Sequence, residues 1–254
     1  MAAEAAYKTV SVDIVIPVYN EQSALERSVN ELRSYLQDYF PYNWTIVIAD
    51  NASTDCTWEI AQRLAMDPHV RAIHLDQKGR GRALRQAWLS TSADVVTYMD
   101  VDLSTNLKSF LPLVAPIITG HSDVAIGSRL LRSAVVQRQF KREVISRLYN
   151  LLIKTMFRNR FSDAQCGFKA LSRRAAVELL PRVENQKWFF DTELLLLSEE
   201  RGMRIYEVPV QWIEDLDSRV NITRTALEDI KGLVRVRRQR WSRRFGVRNK
   251  VPAG

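Results

Sequence analysis

The chain has 254 residues, of which 46% are hydrophobic, and this composition is ordinary for a globular protein. Length and composition exclude disordered and fibrous classes and allow one large domain. The two cysteines, Cys56 and Cys166, form neither a disulfide framework nor a metal-ligand spacing, which indicates a reducing compartment. No secretory signal is recognisable, and no apolar run reaches the roughly 20 residues that a membrane-spanning helix needs.

The net charge of +8 is concentrated near the carboxyl end of the chain. Residues 231–250 include nine basic side chains and no acidic one, whereas the preceding residues are close to neutral. We therefore expect a domain over residues 1–230 and a basic tail over residues 231–254. Such a tail suits an anionic membrane surface, with a solvated helix end as the alternative.

Strands and helices alternate along the first half of the chain. Apolar, β-branched runs predict strands at residues 12–17, 45–50, 70–75, 94–100, 123–127 and 206–210. Apolar residues at helical spacing predict helices around residues 25–36, 57–66, 83–91, 173–180 and 192–201. The alternation predicts an α/β fold with a mostly parallel central sheet flanked by helices, and no repeat or linker divides it.

A basic stretch over residues 129–160 interrupts this alternation, with Glu143 as its only acidic residue. Apolar residues, among them Val144, Leu148 and Leu151, recur there at helical spacing, which predicts a basic amphipathic helix over residues 137–157. Such a helix either lies in the headgroup layer of a membrane or packs its apolar face on the sheet. Both interpretations remain open at this point. A further helix begins near Thr223 and continues into the basic tail.

The strand at residues 94–100 ends in two carboxylates, Asp100 and Asp102. A run this short and apolar indicates a strand buried on both faces, as in a parallel sheet. Its carboxylates would emerge at the carboxyl edge, where open α/β sheets bind ligands. Two such oxygen donors would hold Mg²⁺ or Mn²⁺ and, through the ion, a diphosphate. Solvated acids at a strand end are the alternative.

Other polar residues are expected at the same edge. They follow the first two strands or precede the third helix: Pro17, Tyr19, Glu21, Asp50 and Lys78. Lys78 opens a stretch, residues 78–82, in which glycines alternate with cations, and a helix amino terminus of this kind suits an anion such as diphosphate. Together these residues predict a nucleotide site, with the base near Asp50 and the diphosphate near Asp100.

With these motifs in order, the chain resembles family-2 glycosyltransferases of the GT-A fold. The motifs that carry the resemblance lie at residues 17–21, 50–55, 78–79 and 100–102. Three more, at residues 127–129, 163–169 and 190–193, are similar to the polyprenyl-phosphate branch, which includes dolichol-phosphate mannose synthase and dolichyl-phosphate glucosyltransferase.

The resemblance implies a metal-dependent, inverting transfer of a sugar from a nucleotide-sugar, of the UDP-glucose or GDP-mannose type, to a dolichyl-like polyprenyl phosphate. It implies action at the cytoplasmic face of a membrane, as a peripheral protein or as the soluble part of a longer membrane protein. The mannose synthases often have a glutamine at the position of Ser104 that helps to hold the metal. Here Ser104 is a weaker ligand for that place, and water is the alternative.

The resemblance also implies residue roles. Asp100 and Asp102 would hold the metal, and Asp102, Asp191 and Arg129 would be catalytic. The residues expected to bind the donor are Pro17, Tyr19, Glu21, Asp50, Lys78 and Asp100. Those expected to bind the acceptor or a phosphate are Arg129, Gln165, Lys169 and Arg219.

Two alternatives remain. The same fold could transfer sugar to a saccharide or protein acceptor, which would require a positioned general base. A nucleic-acid-binding module acting through the basic tail is the non-enzyme alternative. It predicts a basic body, whereas residues 1–230 are near neutral, so no nucleic-acid partner is expected. The sequence indicates no particular oligomeric state.

Overall fold

The computed structural model describes residues 9–137, 139–213 and 222–245. A seven-stranded sheet in the order β3-β2-β1-β4-β7-β5-β8 forms its centre, and β6 and β9 form a separate short pair. The strands are β1 Ser11–Val18, β2 Asn43–Asp50, β3 Val70–His74, β4 Val95–Met99, β5 Val124–Ser128, β6 Val135–Gln137, β7 Phe168–Ser172, β8 Ile205–Pro209 and β9 Gln211–Ile213.

The sheet is mostly parallel, as predicted. Strands β3, β2, β1 and β4 pair in parallel, β5 pairs in parallel with β8, and only β7 runs antiparallel to its neighbours β4 and β5. The sequence did not predict β7, because Lys169 lies in the middle of it and a buried lysine is not typical of a central strand.

Helices cover both faces of the sheet. They are α1 Leu25–Tyr39, α2 Thr57–Leu64, α3 Arg80–Leu89, α4 Phe110–Ile118, α5 Phe140–Phe157, α6 Arg173–Leu179, α7 Phe190–Glu200 and α8 Ile222–Phe245. Side chains alternate along β1, so that Ile14 and Ile16 join the core on one face and Val15 joins the core on the other. The α/β fold with a sandwiched central sheet is therefore confirmed.

Helix α5 has its apolar side facing outward. Its buried residues are Ser146, Asn150 and Ile153, whereas Leu148 and Leu151 are more than half exposed. The helix is also shorter at its start than predicted, because residues 135–137 form β6 instead. Among the described helices, none combines the length and apolar character needed to cross a membrane.

Helix α8 runs without interruption across residue 230, the predicted end of the domain. Beyond that point Leu233 and Val236 are buried in the core, and Arg240 forms an ion pair with Glu200 at 3.1 Å. Part of the predicted basic tail therefore packs on the domain. Residues 246–254 lie outside the described residues.

Candidate active site

The candidate site lies at the carboxyl edge of the sheet, between β1 and β4. The connection from β1 leads to β2 on one side and the connection from β4 leads to β5 on the other, and open α/β sheets bind ligands at such a point. The β1–β4 ladder ends at the pair Val15 and Tyr98, while β1 continues along β2 to Val18. Pro17 lies in this extension. Proline has no backbone N–H, but β1 does not pair with β4 at this position, so no ladder bond is lost.

The loops after β1 and β2 and the loop before α3 are tied together by two asparagines. The Asn20 side chain accepts a hydrogen bond from the Thr54 backbone N–H at 2.8 Å. The Asn51 side chain accepts one from the Gly79 backbone N–H at 2.6 Å. These bonds hold three separate loops in one fixed arrangement around the crevice.

Three of the residues expected to bind the donor lie in this arrangement. The Lys78 ammonium group sits 3.9 Å from the centre of the Tyr19 ring and also contacts the Tyr19 hydroxyl. The Glu21 backbone N–H donates to the Thr57 hydroxyl at 2.8 Å, which ties the end of β1 to the start of α2. The structure thus brings Tyr19 and Lys78 into direct contact at the rim of the crevice.

Asp50 is completely buried at the end of β2. Its Oδ2 lies 2.6 Å from Nδ1 of His74, while its Oδ1 has no hydrogen-bond partner among the described residues. Trp58 packs against His74, with 5.1 Å between the ring centres. Because buried carboxylate oxygens are normally paired, the unsatisfied Oδ1 needs a donor that the described residues do not supply.

Asp100 stands at the mouth of the crevice with its side chain 44% exposed. Its Oδ1 accepts a hydrogen bond from Nη2 of Arg80 at 3.0 Å. Its Oδ2 lies against Gly167, so close that a Cβ atom at residue 167 would fall 1.7 Å from that oxygen. Only glycine at residue 167 therefore leaves room for the Asp100 carboxylate in this position.

Asp102 closes a tight turn two residues later. Its Oδ1 accepts from the Ser104 backbone N–H at 2.9 Å, and Leu103 between them has a left-handed backbone with φ of 50°. The Ser104 hydroxyl is buried and has no hydrogen-bond partner among the described residues. A cavity of about 10 Å³ lies between Asp100, Asp102, Ser104 and Gly167. It is roughly the size of one water molecule.

These residues fit a divalent cation. Two carboxylates and an unpaired hydroxyl oxygen next to a small polar cavity offer the hard oxygen donors that Mg²⁺ and Mn²⁺ prefer. The described part of the chain has no group of three or more histidine, cysteine, aspartate or glutamate side chains arranged to hold a metal. The remaining ligands of an ion at Asp100 and Asp102 would come from other oxygen donors, such as the Ser104 hydroxyl, water or a bound diphosphate.

A buried ionic network lies directly behind this pair. Asp191 on α7 is 3% exposed and contacts three donors: Nη1 of Arg80 at 2.5 Å, the Tyr98 hydroxyl at 2.5 Å and Nζ of Lys169 at 3.1 Å. Burial alone would raise the pKa of Asp191, but the positive charges of Lys169 and Arg80 and the hydrogen bond from Tyr98 hold it below its ordinary value.

Arg80 connects the network to the metal pair, since it bonds to both Asp191 and Asp100. Its guanidinium group lies 4.8 Å from the Tyr98 ring centre and 5.0 Å from the Trp188 ring centre. The sequence did not single out Arg80 individually. The signal was the run of glycines and cations at residues 78–82, in which Lys78 alone was assigned a role.

Arg129 is held by a buried carboxylate. Its Nε and Nη2 donate to the two oxygens of Asp163 at 2.8 and 2.9 Å, and its backbone N–H adds a third bond. Burial favours the neutral acid, yet the charge and hydrogen bonds of Arg129 lower the pKa of Asp163 to about 2. The guanidinium group of Arg129, which was expected to bind a phosphate, thus bonds to Asp163 in this structure.

Two of the other residues expected at the acceptor, Lys169 and Gln165, bond to groups of the domain in this structure. Lys169 is fully buried and donates to the Cys166 carbonyl at 2.6 Å as well as pairing with Asp191. Gln165 donates to Oδ2 of Asp229 on α8 at 2.8 Å. Arg219 lies outside the described residues. Whether any of these side chains touches an acceptor stays a prediction.

Comparisons with known proteins concern the sequence and the fold of the chain. The sequence model of glycosyl transferase family 2 matches residues 13–180. Glycosyltransferase AglD of Haloferax volcanii is 38% identical over 221 residues, which cover 86% of this chain and 35% of AglD. The dolichyl-phosphate β-glucosyltransferase of Saccharomyces cerevisiae is 27% identical over 90% of this chain and 74% of its own length.

Among solved structures, the glucosyl-3-phosphoglycerate synthase of Mycobacterium tuberculosis has a similar fold. It superposes with a TM-score of 0.69 at 21% identity, over 93% of this chain and 83% of the synthase. A second structure of that synthase, with Mn²⁺, UDP-glucose and phosphoglyceric acid, gives a TM-score of 0.67 at 20% identity, over 92% of this chain and 82% of the synthase. The chain spans about a third of AglD and most of the yeast enzyme. From its sequence, its sheet and the family match, the chain belongs to glycosyl transferase family 2.

Proposed function

We propose that the chain transfers glucose from UDP-glucose to a polyprenyl phosphate at a membrane surface. The observation that carries the proposal is the Asp100–Asp102 pair at the carboxyl edge of the sheet, beside an unpaired buried hydroxyl. The names of the relatives support the acceptor and the sugar, because several are dolichyl-phosphate β-glucosyltransferases.

The state of Asp50 supports uracil as the base of the donor. Uracil presents a single ring N–H between two carbonyl groups, whereas guanine presents a ring N–H and an amino group side by side. Guanine therefore suits a carboxylate with two available oxygens. One oxygen of Asp50 is already bonded to His74, and the other has no partner among the described residues. A carboxylate in this state matches the single donor of uracil.

The proposed reaction is a direct displacement. An oxygen of the acceptor phosphate forms a bond to the anomeric carbon while the bond from that carbon to the diphosphate breaks, so the configuration inverts. A phosphate is mostly ionised near neutral pH, so the enzyme contributes positioning and charge neutralisation rather than proton removal. Asp100 and Asp102 would hold a divalent cation, which neutralises charge on the departing diphosphate.

The state of Asp191 argues against a saccharide or protein acceptor. Such an acceptor has a hydroxyl group and needs a general base with an available lone pair and a suitable pKa. Asp191 contacts three donors, and the positive charges around it keep its pKa low. We assign it the role of holding Arg80 beside Asp100.

The outward apolar side of α5 supports contact with a membrane. Phe140, Leu148 and Leu151 expose 80%, 59% and 57% of their surfaces, and Leu227 and Trp241 on the neighbouring α8 are also exposed. Exposed apolar side chains on basic helices are typical of segments that lie in the headgroup layer. We propose that α5 and α8 rest on the cytoplasmic face of a membrane, where a polyprenyl phosphate presents its charged end.

The test is a panel of radiolabelled nucleotide-sugars, including UDP-glucose and GDP-mannose, supplied with vesicles that contain polyprenyl phosphate and with Mg²⁺ or Mn²⁺. We expect labelled lipid from UDP-glucose, and no product when EDTA removes the metal. The absence of lipid product from every donor would contradict the proposed function. Equal transfer from GDP-mannose would contradict only the assignment of uracil as the base of the donor.

A further inference from the structure

A buried carboxyl group on α8, Asp229, lies beneath the candidate site and has no role in the reaction described above. It is 2% exposed. Its Oδ2 accepts a hydrogen bond from Nε2 of Gln165 at 2.8 Å, and its Oδ1 is buried with no partner among the described residues. An unpaired carboxylate oxygen in a core is costly, and a polar group that is retained there needs an explanation.

The contact with Gln165 places Asp229 in direct touch with the segment that shapes the metal edge. Gln165 lies between Asp163, which holds Arg129 through two bonds, and Gly167, which lies against the Asp100 carboxylate. The side-chain bond from Gln165 therefore connects helix α8 to a five-residue segment, and both ends of that segment touch residues of the site.

The surroundings of Asp229 favour its neutral form. Burial, followed by the negative charges of Asp191 on α7 and Glu228 on α8, raises the pKa of Asp229 to about 7, while Gln165 and Tyr149 of α5 oppose the shift. These groups lie on α5, α7, α8 and the segment before β7. Ionisation would thus add a third negative charge to those of Asp191 and Glu228.

We propose that Asp229 is a positioning residue for sugar transfer: by holding Gln165 it fixes the segment 163–167 and, through Gly167, the place of the Asp100 carboxylate. This inference rests on the proposed transferase function. The hydrogen bond between Gln165 and Asp229 then connects α8 directly to the metal edge. The same helix also carries exposed apolar and basic residues. Contact of α8 with a membrane surface would then act on the same segment.

The test compares Asp229→Ala with Asp229→Asn, because the asparagine keeps an oxygen that accepts from Gln165 and loses the titrating charge. Loss of one buried hydrogen bond corresponds to roughly a tenfold effect. For Asp229→Ala we expect amide hydrogen exchange over residues 163–168 to rise by about that factor. We expect kcat to fall similarly, with the KM for UDP-glucose changed less than about threefold.

Asp229→Asn should restore both the exchange protection and kcat to within about threefold of the wild type. Its kcat should also lack a decline that the wild type shows as the pH rises through about 7, where Asp229 ionises. Glu228→Gln is the matched control, since the neighbouring carboxylate pairs with Lys187 at 3.3 Å. We expect it to keep the exchange protection of the wild type and its kcat at low pH, and to move the decline in kcat to lower pH, because the Glu228 charge helps to raise the pKa of Asp229.

Equal losses in Asp229→Ala and Asp229→Asn, or a pH profile shared by Asp229→Asn and the wild type, would overturn the proposal. If Asp229→Ala does not fold, Gln165→Ala breaks the same bond from the other side, and unchanged exchange and kcat in that variant would also overturn it. Hydrogen exchange needs no activity. A wild type that is inactive with every donor therefore refutes the proposed function separately from the positioning role of Asp229.

Discussion

Two layers of aspartates at the same sheet edge differ chiefly in their exposure. In the outer layer, the side chain of Asp100 is 44% exposed and bonds to one cation, Arg80. In the inner layer, the side chain of Asp191 is 4% exposed and contacts Arg80, Lys169 and Tyr98. Arg80 belongs to both layers, because its two terminal nitrogens bond to the two carboxylates separately.

Aspartate therefore serves two purposes within one site, according to its exposure. An exposed carboxylate exchanges its partners at little cost, since water solvates it in either state, and this suits a ligand that enters and leaves. A buried carboxylate loses that solvation, so its removal leaves the opposite charge uncompensated. The outer layer is therefore suited to chemistry, and the inner layer to holding Arg80 and Lys169 in place.

The largest effect is expected in the outer layer. Asp102→Asn removes the negative charge of a proposed metal ligand, and we expect transfer to fall about 100- to 1,000-fold, in the range seen when a group that stabilises developing charge is lost. The side chain is exposed, so the free energy of unfolding should change by less than about 1 kcal/mol. Near-wild-type transfer in this variant would refute the metal assignment.

In the inner layer the expected effect is on stability. Asp191→Asn leaves Lys169 buried without its counter-charge, and we expect the free energy of unfolding to fall by about 3–5 kcal/mol in urea titration. Asp76→Asn, at a fully exposed carboxylate, is the matched control and should be neutral. A stable but inactive Asp191→Asn variant would instead favour a general base and an acceptor with a hydroxyl group.

Another buried carboxylate, Asp163, tests the contrast through the pH dependence of stability. Its pKa is lowered to about 2 in the fold, against about 3.9 in an unfolded chain, so its pair with Arg129 stabilises the fold fully above about pH 4. That contribution, about 2 kcal/mol, disappears as the pH falls from about 4 to 2. We expect the stability difference between the wild type and Asp163→Asn to shrink by this amount. A stability difference that stays constant with pH would contradict the lowered pKa of Asp163.

The smallest effect on stability is expected at the outward side of α5. Replacing Leu148 and Leu151 by serine removes exposed apolar surface, so the free energy of unfolding should change by no more than about 0.5 kcal/mol per residue. Binding to anionic vesicles should nevertheless weaken in a sedimentation assay. Val177→Ser, at an exposed valine on α6, is the control. Equal vesicle binding by all variants would contradict a membrane role for α5.

The outer layer could be predicted from strand patterns, whereas Asp191 and Lys169 of the inner layer were placed at the site only by the family resemblance, without their contacts. Asp100 and Asp102 directly follow an apolar strand, and the carboxyl end of such a strand lies at the ligand-binding edge of the sheet, so the local pattern was sufficient to place them there. Asp191 is 111 residues away from Arg80, and Lys169 lies in an antiparallel strand that the sequence pattern did not show. Such contacts depend on the topology of the whole sheet.

The orientation of α5 shows a second limit. The sequence revealed a helix with an apolar side, but the direction of that side depends on what packs beneath it. The Asn150 side chain accepts from the Ala164 backbone N–H at 3.0 Å and donates to the Ser146 carbonyl, so polar groups beside the buried Ile153 satisfy their hydrogen bonds against the domain. The apolar side is left facing outward.

We propose that Asp100 and Asp102 hold a divalent ion and that a donor diphosphate must supply remaining ligands of that ion. Electron paramagnetic resonance titration of Mn²⁺, with and without UDP, tests it most directly in the wild type, Asp102→Asn and the control Asp76→Asn. We expect one Mn²⁺ to bind tightly to the wild type and the control only when UDP is present, and binding to be lost in Asp102→Asn. Tight binding that needs neither UDP nor Asp102 would contradict the account.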